Sequence, residues 1–130
     1  MSTWRQKAIE IAPDLRSEFQ DPDLSPYMVF TELLPLLEQA HIDNDLIKIE
    51  KIYAFAEWCS LQKDQKLWNA AGVSFYEHLG DNELLFSNIT QWLKKTAYLQ
   101  HRELLLDRIG DDKIKVLDKF YGQKDSRQKK

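Results

Sequence analysis

LWNAAGVSFYEHL, residues 67–79, is apolar or small at every position except Asn69, Ser74, Glu77 and His78. A helix that is apolar nearly all round has no face to give to water, so this segment is expected to be a buried central helix over about Asp64–Leu79. Gly72 costs roughly 1 kcal/mol relative to alanine inside a helix, and its expected use is to admit a neighbouring helix at close range. Gly80 then stands where a left-handed residue commonly closes a helix. The same run sets Ser74, Glu77 and His78 beside a glycine and so invites a catalytic reading. A nucleophile elbow, however, needs G-x-S-x-G after a strand, and GVSFY lacks the second glycine and follows no strand. Nothing nearby supplies an oxyanion hole or a third triad member.

Outward from this segment the periodicity is helical throughout. Ser2 or Thr3 can cap a first helix bearing Trp4, Ala8, Ile9 and Ala12. Pro13 then kinks it or opens a second short turn with Leu15 and Phe19. After the loop DPDLSP, Ser25 is a natural N-cap with Pro26 at the first helical position, and Phe30, Leu33, Leu34 and Leu37 share a face. Pro35 lies inside that pattern, which predicts a kink or break near Leu34. HIDND reads as a turn, with Asp43 or Asn44 capping a helix that carries Leu46, Ile49, Ile52, Tyr53, Ala56 and Cys59 and ends near Leu61. Ser87 can cap a further helix, Leu99–Ile109 reads as helix ended by Gly110, and a last short helix carries Ile114, Val116, Leu117 and Phe120. The expected fold is therefore all-α, a compact bundle or right-handed stack of about six to seven helices, antiparallel where the turns are short. Residues 1–121 are expected to form a single helical domain, and 122–130, which lack apolar side chains, a disordered basic tail.

With 130 residues, 43% hydrophobic and 30% charged, the chain has the composition of an ordinary globular domain. No apolar run approaches the roughly 20 residues of a membrane span, and the N-terminus lacks the pattern of a signal peptide. These features and a lone cysteine, Cys59, lead us to expect a cytoplasmic protein with no membrane association. Cys59 lies on an apolar helix face and reads as a small core residue. His41, His78 and His101 fall in no metal-binding motif, so neither a metal nor any other cofactor is expected.

The net charge of −3 conceals a marked asymmetry. Residues 1–62 hold five Lys/Arg against eleven Asp/Glu, residues 63–121 hold nine of each, and residues 122–130 hold four Lys/Arg and one Asp. From Ser17 to Ile47 there is no Lys or Arg, while Glu18, Asp21, Asp23, Glu32, Glu38, Asp43 and Asp45 contribute seven carboxylates. Caps and solvated faces account for individual acids, but not for the lack of any cation across that length. A surface of this sign attracts a basic protein, steers its approach and can occlude a cleft built to hold phosphate. Desolvated anchors would supply most of the affinity, with Tyr27 or Trp58 as candidates. The basic cluster at the tail is too small to favour nucleic acid.

The segments FAEWC, NAAGVSFYEHL and RELLLDRIG, in that order, resemble a family of small, uncharacterised all-helical bacterial proteins over roughly residues 25–110. Some members are suspected immunity proteins encoded beside toxins. The resemblance implies no catalytic residue and a toxin-neutralising role. The functional expectation is thus a non-enzymatic, acidic helical binding protein that neutralises a basic toxin, such as a nuclease, by covering its active site. The alternatives are a helical adaptor for another protein partner and a small hydrolase using Glu57, Glu77 and His78.

Overall fold

The computed structural model describes residues 2–122 and is all-α, with no strand among those residues. The contacts group the chain into two compact units, 1–75 and 76 onward. The expected disordered tail lies, apart from Gly122, outside the described residues.

The first unit comprises α1 (Thr3–Ile11), a 3-10 turn (Pro13–Leu15), α2 (Arg16–Phe19), α3 (Pro26–Asp43), α4 (Leu46–Ser60) and α5 (Gln65–Ser74). Pro13 opens a new turn rather than kinking α1, and this turn delivers Phe19, which is fully buried. Ser25 caps α3 as expected, its Oγ accepting from the Met28 amide. Pro35 does not break that helix, which runs unbroken for 18 residues. Pro35 and Thr31 are both exposed, so the Thr31 carbonyl that loses its amide partner can be hydrated instead. Helices α3, α4 and α5 pack against one another in every pairing, and α1 lies against α4. Phe30 stands 5.3 Å from Phe55 and 5.6 Å from Phe75, centroid to centroid, and Tyr53 meets Phe75 edge-on at 5.6 Å. Ala70, Ala71 and Gly72 are buried on α5, where small side chains allow neighbouring helices to approach.

The expected long central helix is in fact two pieces. Helix α5 stops at Ser74, Phe75 takes φ −124° and ψ −71°, and a 3-10 turn follows at Tyr76–His78. The cause is competition for two neighbouring rings. Phe75 is held among Phe30 and Tyr53 in the first unit, while Tyr76 stacks on His101 in the second, at 4.0 Å and 13° between planes.

The second unit contains that turn, α6 (Glu83–Trp92), α7 (Lys95–Ile109) and α8 (Asp111–Tyr121). Asn82, not Ser87, caps α6, accepting from the Leu85 amide; Ser87 lies one turn inside and bonds back to the Leu84 carbonyl. Gly110 ends α7 at φ 87°, as its position suggested. Gly80 is not left-handed; it is buried, and a Cβ there would collide with the Cγ2 methyl of Ile109. Gly80→Ala is therefore expected to cost about 1–3 kcal/mol through overpacking, with Ile109→Ala in the same chain recovering part of the loss; paired denaturation curves check this. On α8, Ile114 and Leu117 are buried, but Val116 and Phe120, expected in its apolar face, are exposed.

Candidate functional site

The seven carboxylates of residues 17–47 are distributed along the first unit. Glu18 lies on α2, and Asp21 and Asp23 lie in the loop that follows, where Asp21 Oδ1 accepts from the Asp23 amide at 2.9 Å. That loop is pinned from α1. The Arg5 guanidinium donates to the carbonyls of Phe19 and Asp21 at 2.7 Å, Leu24 at 3.0 Å and Pro22 at 3.3 Å. A segment without cations in sequence thus has one beneath it in space, since Arg5 lies 14–19 residues from these partners.

Glu32, Glu38 and Asp43 lie on α3. At 3.6 residues per turn Glu32 and Asp43 fall on one stripe, and Glu38 points about 120° away. Asp43 accepts from Gln39 at 3.0 Å, and Asp45 caps α4 by accepting from the Lys48 amide at 3.1 Å. All are exposed except Glu38, which is half-buried. The length of α3, about 27 Å at 1.5 Å per residue, separates the Asp21/Asp23 loop from the Asp43/Asp45 corner. The structure brings the acids together as two end groups joined by a stripe.

The α3–α4 corner carries more than charge. Asn44 takes the left-handed conformation (φ 57°, ψ 38°), its amide bonds the His41 carbonyl, and the Asp45 amide bonds the Ala40 carbonyl at 2.8 Å. These backbone bonds close α3 and turn the chain within two residues. The corner holds out three large aliphatic side chains, Ile42 at 66%, Leu46 at 49% and Ile47 at 71% exposure, interleaved with Asp43 and Asp45. Isolated surface aliphatics are ordinary, but a clustered set rimmed by polar groups is the pattern of a protein-binding surface.

The anchors suggested by sequence fare differently. The Tyr27 hydroxyl is used in the fold, accepting from Asn69 Nδ2 at 2.7 Å and so tying α3 to α5. Trp58 is half-buried and lines a groove of about 580 Å³ between α1 and α4, with Lys7 Nζ 5.0 Å from its ring centroid.

The residues of the hydrolase reading are divided between elements. Glu57 is half-buried on α4, and Glu77 and His78 occupy the 3-10 turn. His78 Nδ1 lies 2.7 Å from Asp81, which also accepts from Arg108 at 2.8 Å. Burial alone would raise the Asp81 carboxyl, but the bonds from Arg108 and His78 outweigh it and leave the group below its ordinary range. Cys59 is fully buried; burial pushes its thiol up to about 12 against the pull of Lys7, so the nucleophilic thiolate is not populated at neutral pH. Among the described residues no three His, Cys, Asp or Glu side chains are placed to hold a metal ion, and no helix is long and apolar enough to cross a membrane.

A family model described as a domain of unknown function, DUF7674, matches residues 5–106. The chain belongs to the DUF7674 family. The match begins at Arg5, the residue that pins the acidic loop, and takes in both the α3–α4 corner and the groove. It ends within α7, so α8 lies beyond the DUF7674 match. No curated protein and no solved structure matches the chain.

Proposed function

We propose that this DUF7674 protein is a binding protein whose α3–α4 corner docks on a basic protein partner. The reading rests on one observation: Ile42, Leu46 and Ile47 project from a backbone-locked turn among Asp43 and Asp45. Aliphatic side chains buried on contact supply affinity, and the surrounding carboxylates, with the stripe through Glu32, supply steering and sign selectivity. A toxin with a cationic cleft for phosphate, as a nuclease has, suits such a surface, and covering that cleft would make this an immunity protein.

The partner is to be identified by cross-linking in the native cell, and its affinity measured by calorimetry. Ile42→Ser with Ile47→Ser is expected to weaken binding at least 100-fold, since the two side chains together contribute about 3 kcal/mol if fully covered. Asp21→Lys, Asp23→Lys and Glu32→Lys together are expected to slow association about tenfold at low salt with little change in dissociation. Wild-type affinity in the double isoleucine variant would reject the corner as the contact. Loss of the partner's activity on binding separates immunity from simple attachment.

A second reading, an adaptor, is favoured by Val116 and Phe120, which are exposed four residues apart on one side of α8 and offer a second apolar surface.

A further inference from the structure

The groove between α1 and α4 belongs to neither of these surfaces, and its chemistry is of a different kind. Lys7, Glu10 and Ile11 come from α1 at spacings of three and four residues. Lys51, Ala54, Phe55 and Trp58 come from α4 at spacings of three, four and seven. Each set is one helix stripe, so two packed helices present their facing edges to a single concavity. Two ammonium groups against one carboxylate make its rim net cationic within a part of the chain that is acidic in total. Its floor is apolar and aromatic, and Phe55 is nearly fully buried there, fixed by its contact with Phe30. The volume of about 580 Å³ falls within the range of small-molecule sites, roughly 300–1,000 Å³.

Lys7 is half-buried, and its ammonium stands over the face of Trp58, 5.0 Å from the ring centroid. The geometry points to a binding site for a small aromatic carboxylate, its ring against Ile11, Ala54 and the edge of Trp58 and its carboxylate between Lys7 and Lys51. An uncharged aromatic would bring no counter-charge to Lys7 and Lys51, and an inorganic anion would leave the apolar floor wet. The requirement for both features in one ligand defines the class.

The full chain, isotopically labelled, is titrated with indole-3-acetate, with indole-3-acetamide as the uncharged isostere and with inorganic phosphate. Indole-3-acetate is expected to shift the amides of residues 7–11 and 51–58 saturably, binding at least tenfold tighter than either comparison compound. Lys7→Gln and Lys51→Gln are each expected to weaken it at least threefold while leaving the amide spectrum folded. Equal binding of the acetamide, equal binding of phosphate, saturable shifts confined to other residues, or no saturable shift would each overturn the assignment. The outcome is independent of the α3–α4 corner, because Ile42→Ser with Ile47→Ser is expected to leave this titration unchanged.

Discussion

Asp118→Ala is expected to lower stability by about 3 kcal/mol, the low end of the cost of breaking a buried ion pair. Asp118 is 6% exposed, and Oδ1 accepts from the Tyr98 hydroxyl at 2.5 Å and from Arg102 Nε at 2.8 Å, while Oδ2 accepts from Arg102 Nη2 at 2.6 Å. One carboxylate therefore ties α8 to two successive turns of α7. Removing it leaves the fully buried Tyr98 hydroxyl without this acceptor, whereas the Arg102 head, partly exposed, can be rehydrated. Asp118→Asn keeps an acceptor and should cost less, about 1–2 kcal/mol. Tyr98→Phe removes one bond and should cost about 1 kcal/mol, its stacking on Tyr121 at 4.4 Å surviving. Urea denaturation of the three variants checks the order, and an alanine variant within about 1 kcal/mol of wild type would show that the knot contributes little.

Acid is expected to remove a comparable amount through His101. This side chain is 6% exposed, stacks on Tyr76, and its Nε2 is buried with no hydrogen-bond partner. Burial lowers its pKa from 6.5 to about 4. Between those values the unfolded chain takes up a proton that the folded chain resists, so stability falls as pH falls. The contribution is fully present above pH 6.5, is lost progressively on the way to about 4, and amounts to about 3 kcal/mol at 1.36 kcal/mol per pH unit. His41, with a buried, unpartnered Nε2 and a pKa lowered by burial, acts in the same direction. His101→Phe keeps the ring on Tyr76 and removes the titration. Melting temperatures from pH 7 to 4 should therefore fall less steeply in this variant than in wild type, and parallel curves would assign the acid sensitivity elsewhere.

The helices were legible because their signals are local. Ser25-Pro26, the three- and four-residue spacing of Phe30, Leu33 and Leu37, and Gly110 each act within one or two turns, and each appears in the structure as read. The break after Ser74 was not legible, because Gly72, the weakest helix former beside it, is buried inside α5, and the rings of Phe75 and Tyr76 are claimed by distant Phe30, Tyr53 and His101. The position of Gly80 suggests backbone freedom, but its use depends on Ile109, 29 residues away. At the candidate site the acidic composition was plain, but its cationic support from Arg5 is a contact across 14–19 residues. Leu46 fitted the apolar spacing of α4, and only the packing shows that the stripe overshoots the core and leaves Leu46 exposed beside Ile47.

The interruption at Phe75 also orders events in time. The rings described in the first unit's core, Phe30, Tyr53, Phe55 and finally Phe75, precede residue 76 in the chain. A polypeptide emerging from the ribosome N-terminus first can therefore complete that core before the second unit has emerged. The acidic loop, the α3–α4 corner and the α1–α4 groove all belong to the part made first, so the surfaces proposed to bind would be assembled on the nascent chain.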